Sequence, residues 1–368
     1  MKKIYFRFFI PTLKISSIIL GVALLTGLFS RYINPYAFWP AAFISLAFPA
    51  VWILSLVTAL LLFRKKWWFI VLMICVLATI PMMLRHFSLP LCIKKNKPGD
   101  YLVMTYNVHG FAGIRNGKSS YERQAMVHEM VNDLAPAVVC MQEYPMKSRK
   151  HARYLNHLNK ELDLQYKHIS DFSEESKGTT YTFMTATRYP IEQRGTIFTM
   201  DSDICGIFTD IRFPEGIIRV YNIHLQSVKL FGEKKLLRPH RNPGAIKYLF
   251  TYLKGTITKL RKAFPARAYQ AWMIENSIKT CPYPVIIAGD FNDTPASYAY
   301  NLLRKNMNDP AENSGSGFNK TYGESIYPIR IDHILIDRRL KTGSYSRKKI
   351  YLSDHFPVVA GFGFNTNP

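Results

Sequence analysis

Aspartate and glutamate are missing from the first 99 residues of this 368-residue chain, which carry twelve Lys and Arg instead. With no acidic residue among them, those cations are the marks of orientation in the region. Cysteine is sparse as well. Cys75, Cys92, Cys140, Cys205 and Cys281 stand far apart without metal-ligand spacing, so neither a disulfide framework nor a zinc site is legible. Cys140 falls in an apolar strand pattern and reads as a small core residue.

What the acid-free region has is apolar length. Residues 15–30 form a stretch of marginal length. Residues 41–63 and 67–84 are uncharged and approach the roughly 20 residues that cross a bilayer. No small-residue cleavage site follows the first stretch and two further stretches do, which favours a retained span over a cleaved signal peptide. The expectation is three transmembrane helices within residues 1–92, followed by a second domain over 98–368. Lys2, Lys3, Arg7 and Lys14 precede the first span, Arg64, Lys65 and Lys66 separate the second from the third, and only Arg31 lies between the first two. The positive-inside rule puts the N-terminus and the Arg64–Lys66 turn in the cytoplasm. Three spans then deliver the second domain to the extracytoplasmic (periplasmic) side of a multi-pass membrane protein, although Lys94, Lys95 and Lys97 weigh the other way.

From residue 100 onward, apolar strand-like runs alternate with helical patterns. Val127, Met130, Val131 and Leu134 recur at helical spacing and stop before Pro136. Six apolar runs carry a carboxylate, amide or imidazole at or near one end: Asn107 and His109, Gln142 and Glu143, Asn222 and His224, Asp290 with Asn292 and Asp293, Asp332 and His333, Asp354 and His355. Taken singly, each has a plain explanation, since Asp and Asn favour turns and a strand-end His is commonly a satisfied residue. Taken together, they converge, because strand ends in a layered α/β fold meet on one rim. Four crowded carboxylates, Glu143, Asp290, Asp332 and Asp354, repel unless a cation or a proton neutralises them. Carboxylate and amide oxygens suit magnesium or manganese rather than zinc, and imidazoles beside such an ion give proton transfer near neutral pH. That set fits hydrolysis of a phosphate ester.

The motifs "TYNVHG", "MQEY", "NIHLQS", "GDFND", "RIDHIL" and "SDHFPV", in that order over roughly residues 98–365, resemble the endonuclease/exonuclease/phosphatase superfamily. Its members include deoxyribonuclease I-like nucleases, abasic-site endonucleases, inositol polyphosphate phosphatases and neutral sphingomyelinases, and this chain looks like a bacterial-type, membrane-anchored one. The resemblance implies an α/β (α+β) fold, a two-sheet β-sandwich flanked by helices, with the site at one edge. By motif, Glu143 is the principal magnesium ligand, helped by Asn107 and Asp354. Asp290 orients or deprotonates the attacking water, and Asn292 holds that water or a phosphate oxygen. His355 contacts the phosphate or acts as base, with Asp332 fixing its tautomer. His224 stands where the deoxyribonuclease and sphingomyelinase branches carry a histidine that protonates the leaving oxygen. Abasic-site endonucleases usually have a tyrosine near His224 and an acidic residue where this chain has His109, which lowers the DNA-repair reading. His333, often aromatic in relatives, reads as a structural spacer.

The excess charge of the second domain is local. Residues 229–267 hold eleven basic residues against Glu233 alone. Leu249, Leu253, Ile257, Leu260 and Phe264 mark one face of a helix there, with Lys247, Lys254, Arg261 and Lys262 mostly off it. The plainer reading is a helix packed on the domain with a solvated basic face; the sharper one is a surface that meets the lipid bilayer beside the site. A nucleic-acid groove would also be basic, but no clear series of base-stacking aromatics interleaves it. Three functions follow: a membrane-anchored phosphodiesterase acting on a phospholipid or sphingolipid, an extracytoplasmic endo- or exonuclease of the same mechanism, and a catalytically inactive membrane scaffold. The filled motifs argue against the last. The expected partners are the bilayer and a phosphoester substrate, with no protein partner.

Overall fold

The computed structural model of the chain describes residues 2–89, 100–112, 117–147, 162–170, 179–199, 203–228, 245–325 and 327–365. Cys92 and Lys94, Lys95 and Lys97 lie outside the described residues, as does most of the basic segment before residue 245.

The acid-free region is helical. Helix α1 (Lys2–Phe29) leads to α2 (Pro40–Leu46), α3 (Phe48–Leu61), α4 (Lys66–Ala78) and α5 (Ile80–His86). Among the described residues, one helix, spanning Phe9–Tyr32, is by itself long and apolar enough to cross a membrane. The expected second and third transmembrane helices are instead broken, α2 bending from α3 by 75° and α4 from α5 by 51°. The reason is proline. Pro49 stands at the second position of α3 and Pro81 at the second of α5. Proline lacks the amide hydrogen and its ring clashes with the preceding turn, so each apolar run kinks where a proline falls inside it. Leu20 packs with Ala59 and Leu72, and Leu24 with Phe48 and Val76. The chain therefore runs toward the second domain in α1, away in α3 and back in α4.

The described residues after 99 form two six-stranded sheets. The first, in the order β11-β12-β1-β2-β4-β3, contains β1 (Tyr101–Asn107), β2 (Val138–Lys147), β3 (Tyr166–Ile169), β4 (Thr179–Thr187), β11 (Leu340–Arg347) and β12 (Val358–Phe364). The second, in the order β5-β6-β7-β8-β10-β9, contains β5 (Ile191–Phe198), β6 (Ile204–Phe213), β7 (Gly216–His224), β8 (Val285–Asp290), β9 (Met307–Asn308) and β10 (Asp332–Asp337). Both sheets are mixed: β1 runs parallel to β2 and β7 to β8, while the other pairings are antiparallel. The sheets face each other through Val103, Val138, Cys140, Val358 and Phe362 on one side and Ile211, Val220, Ile286 and Ile334 on the other. Burying each such side chain contributes roughly 1.5–3 kcal/mol.

Helices cover the outer faces. Helix α6 (Ser120–Leu134) starts with a capping box, Ser119 accepting from the Glu122 amide while Glu122 accepts from that of Ser119. It lays Val127 and Val131 on the first sheet. Helix α7 (Ala245–Lys279) and the short α8 (Tyr298–Leu303) cover the second through Ala271, Ile274 and Tyr300. A last short helix, α9 (Pro310–Ser314), follows β9. The expected apolar stripe on α7 divides in two. Leu260 and Phe264 are buried against Ala42 and Phe43 of α2, whereas Leu253 and Ile257, on the same face, are exposed.

Candidate active site

Strand polarity gathers the six polar motifs on one rim. In the second sheet, His224 at the end of β7 lies in register with Asp290 at the end of β8, and Asp290 faces Asp332 at the start of β10. In the first sheet, Asn107 at the end of β1 pairs with Gln142, one residue before Glu143, while the start of β12 at Val358 pairs with Thr105. His355, three residues before Val358, therefore comes to the same rim. Close packing of β8 on β7 depends on Gly289, where a Cβ would lie 2.0 Å from the Ile223 carbonyl oxygen.

Local backbone geometry aims the side chains. A bulge between β2 and β4 interrupts the register between Met141 and Tyr144, and Glu143 within it takes φ 50°. Bulges of this kind re-aim a side chain out of the strand's alternation. Asn292 (φ 52°) and His109 (φ 45°) share the left-handed region, which costs a non-glycine residue energy that the surroundings must offset.

Asn107 ties the sheets together at the rim, its Nδ2 donating to Glu143 Oε1 at 3.2 Å and Asp290 Oδ2 at 3.1 Å. His109 Nδ1 lies 3.1 Å from Glu143 Oε2 and 4.0 Å from Asp354 Oδ2. Burial pushes the Glu143 carboxyl up, but the His109 contact, the nearby His224 and the Asn107 amide outweigh it and hold it down at about 2. The Glu143 hydrogen bond in turn raises the His109 pKa. His224 Nε2 stands 3.8 Å from Glu143 Oε1 and 3.6 Å from Asp290 Oδ2, buried and without a hydrogen-bond partner among the described residues.

On the second sheet's side, His355 Nδ1 is 2.9 Å from Asp332 Oδ2, and its Nε2 is 3.7 Å from Asp290 Oδ2. Burial disfavours the imidazolium, but Asp332 and Asp290 outweigh it and lift His355 well above the usual imidazole range. Burial also raises Asp332. Asp290 Oδ1 accepts from the Asn292 amide at 2.8 Å, and Asn292 Nδ2 donates to the Leu225 carbonyl at 3.0 Å. Ser353 Oγ stands between two acceptors, 2.8 Å from the Asn107 carbonyl and 3.1 Å from Asp354 Oδ1. All eight side chains expected at the site thus meet on one rim, with His109, which the sequence put at a strand end without a catalytic role, as a ninth.

Asp290, Asp332 and His355 each offer a donor atom within 4.8 Å of the others, a possible cation cluster. In that group the His355 and Asp332 atoms already bind each other. Glu143, Asn107 and Asp354 form the other oxygen-rich corner, on the His109 side. The oxygens of four carboxylates brought to one rim, Glu143, Asp290, Asp332 and Asp354, fit a hard divalent cation.

Other expected residues lie apart. His333 turns from the rim, Nε2 on the Asp293 carbonyl at 2.9 Å and Nδ1 3.1 Å from Arg330 Nη1. Burial and Arg330 bring it down to about 3. Lys254 precedes the packed stretch of α7, and Arg261 and Lys262 lie on its exposed face beside buried Leu260 and Phe264, Arg261 over the Trp39 ring at 5.3 Å; the Lys247 side chain lies outside the described residues. The supporting groups carried little sequence signal. Gln142 and Asn222 clamp the sheets at 2.7 Å beneath the site, and Thr321 Oγ1 accepts the Ile331 and Asp332 amides. Buried Asp293, in the turn after Asn292, lies 3.8 Å from Arg267.

Residues 104–355 match the endonuclease/exonuclease/phosphatase family, and the protein belongs to it, a family of divalent-metal-dependent phosphoester hydrolases. Residues 8–86 match a second family, a domain of unknown function, DUF8431. Among solved structures, an endonuclease/exonuclease/phosphatase from Beutenbergia cavernae DSM 12333 is similar, with 15% identity, a TM-score of 0.50 and coverage of 73% of this chain and 72% of that one. The human Nocturnin catalytic domain with bound sulfate anion shows 18% identity and a TM-score of 0.49 over 74% of this chain and 96% of that one. Truncated TDP2 from Caenorhabditis elegans shows 17% identity and a TM-score of 0.49, covering 73% and 99%. At 15% identity, the likeness to the Beutenbergia cavernae structure is one of fold. No curated protein matches the chain.

Proposed function

We propose that this protein is a membrane-anchored phosphodiesterase whose extracytoplasmic domain hydrolyses a lipid phosphoester. The observation that carries the chemistry is the rim itself, where Glu143, Asp290, His224 and His355 surround one space from two sheets. Glu143, Asn107 and Asp354 would hold the cation, Mg2+ or Mn2+ by their oxygen chemistry, and when bound it supplies charge neutralisation at the phosphoryl group. Asp290, kept in place by the Asn107 and Asn292 amides, accepts the proton of the attacking water. His355, held as a cation by Asp332, donates to a phosphoryl oxygen. Asn292 keeps the loop beside it in place, and His224 Nε2, free of other partners among the described residues, protonates the leaving oxygen.

The lipid reading rests on where the rim sits. Ile15, Ile18, Ile19 and Val22 of α1, Leu54 and Val57 of α3, and Val71 and Ile74 of α4 are all exposed, a girdle of apolar side chains suited to lipid tails. Counting each bent pair as a span gives the multi-pass topology of three. Lys14 lies over the Trp68 ring at the end of the bundle remote from the catalytic domain, together with Arg64–Lys66, which supports a cytoplasmic remote end. Exposed Tyr32, Tyr36 and Phe38 at the near end suit the opposite interface, where the helices of residues 2–86 touch the catalytic region, Ser30 on Ala296 and Phe43 on Phe264. Exposed Leu253 and Ile257 continue the face of α7 that packs on α2, with Lys254, Arg261 and Lys262 around them. On an anionic surface each such cation contributes roughly 1 kcal/mol.

The test is turnover by the full chain in nanodiscs with Mg2+, on phospholipid or sphingolipid vesicles, plasmid DNA and bis-p-nitrophenyl phosphate in parallel, with Glu143→Ala and His355→Ala as controls. Lipid turnover lost in both variants is the expected result. Nicking of DNA without lipid turnover would replace this reading with an extracytoplasmic nuclease of the same mechanism.

A further inference from the structure

The turn that follows Asp290 and Asn292 is held by the helical region. Four successive residues of that turn have a carbonyl or hydroxyl in a specific bond. The Asp293 carbonyl is taken by His333 Nε2 at 2.9 Å. Thr294 Oγ1 donates to the carbonyl of Ser45, in α2, at 3.3 Å. The Pro295 carbonyl accepts from Asn301 Nδ2 at 2.9 Å, and Asn301 Oδ1 is itself held at 2.6 Å by Nη1 of Arg85, in α5. The Ala296 carbonyl lies 3.0 Å from Ser30 Oγ, at the end of α1, whose one hydroxyl hydrogen is shared with the Gly27 carbonyl at 2.7 Å. The Ala296 side chain is fully buried in a cluster with Leu24, Phe48, Val76 and Met82. Three of the four anchors thus lead back to helices of residues 1–92.

We infer that the helical region is a working part of the active site rather than a tether: Ser30 and the Ser45 carbonyl, with Arg85 behind Asn301, position the turn 293–297 and through it Asp290 and Asn292. The physical reason lies in Asn292. A non-glycine residue at φ 52° stays there only when its neighbours hold it. On one side that neighbour is β8, fixed in its sheet. On the other it is this turn, whose outward face rests on α1, α2 and α5. A displacement of about 1 Å at a reacting group can cost about 100-fold in rate, so loosening the turn acts on catalysis before it acts on folding. Ser30 and Thr294 are positioning residues here, since neither reaches the rim. The inference rests on the proposed roles of Asp290 and Asn292.

The experiment uses the full chain in nanodiscs with bis-p-nitrophenyl phosphate, a soluble probe that separates catalysis from lipid encounter. Ser30→Ala, Thr294→Val and Thr294→Ser are compared with Ser88→Ala. Ser88→Ala removes a bond of similar kind between the same two regions, Ser88 Oγ to the Ala311 carbonyl, away from the turn. Expected are a fall in kcat of about 10-fold to 100-fold for Ser30→Ala and Thr294→Val, with KM and the melting temperature little changed. Thr294→Ser should recover most of the rate. Amide hydrogen exchange over 291–297 should rise in the two slow variants and not in Ser88→Ala. Unchanged kcat and exchange in both, with Glu143→Ala inactive, would overturn the inference and leave the site standing. An equal loss in Ser88→Ala would overturn it as well, making the effect one of general loosening. Full turnover by Glu143→Ala would instead bring down the reading of the site, and this inference with it.

Discussion

Gln142 and Asn222 meet at 2.7 Å across the space between the two sheets, one residue from Glu143 and two from His224. Asn222 Nδ2 also donates to the Met141 and Met184 carbonyls, so this single amide joins β2, β4 and β7 in a fully buried position. Replacing it by alanine leaves buried acceptors without donors, which costs roughly 1–3 kcal/mol. Asn222→Ala should therefore lower the melting temperature of the detergent-solubilised chain and reduce turnover with it. An unchanged melting curve would mean the clamp carries no weight.

Histidine 355 offers a test of chemistry without collapse of the fold. General acid–base residues contribute about 10²–10⁴-fold. His355→Gln should lose that much in kcat, and Asp332→Asn should also slow turnover by freeing the ring. Circular dichroism should match the parent chain. A loss below 10-fold in His355→Gln would remove His355 from the mechanism.

Buried Asp293 sets a pH dependence. Burial raises its pKa to about 6, outweighing the Arg267 guanidinium and the Thr294 amide. An acid whose folded value is raised binds its proton more readily when folded, so its effect favours the folded state at low pH and fades as pH rises through about 6. Between about pH 4 and 6, Asp293→Asn should remove that downward slope, making the stability of variant minus parent climb with pH. A pH-independent difference in chemical denaturation would contradict it.

A methyl group at position 289 has nowhere to go. Gly289→Ala would put Cβ 2.0 Å from the Ile223 carbonyl oxygen, a contact only backbone movement relieves. The strand that carries Asp290 must shift off β7, at a cost of 1–3 kcal/mol or more by the roughly similar cost of overpacking. The expected outcome is weak expression and little activity, read by size-exclusion yield; normal yield with normal kcat would show that β8 tolerates the shift.

Chelation is the simplest check on the family's metal requirement. Excess EDTA should abolish turnover, and Mg2+ or Mn2+ should restore it in the parent but poorly in Glu143→Ala. Undiminished turnover after exhaustive chelation would exclude the cation from the reaction.

The strand ends were legible because they pair apolar runs with terminal polar groups, and each of β1, β2, β7, β8, β10 and β12 can be read that way from sequence. Strand β5 could not: its residues Glu192, Gln193 and Arg194 are exposed at a sheet edge, so no core face imposes alternation. The second and third membrane stretches read as continuous because hydropathy does not register Pro49 and Pro81. Ser30, Ser45 and Thr294 were silent for another reason. Their meaning depends on chain segments about 250 residues apart, a separation no local pattern encodes. His109 was visible in "TYNVHG", but only geometry places its ring beside Glu143.

The proline breaks shorten the bundle. At about 1.5 Å per residue, the 14 residues of α3 and the 13 of α4 rise only about 20 Å each, against a hydrocarbon core of about 30 Å. On the proposed multi-pass reading, α1, with 28 residues, is long enough to cross that core and α3 and α4 are not, so a bilayer around them would have to thin to meet their ends. On that reading, membrane thickness is a variable that the seating of the helices in the bilayer follows.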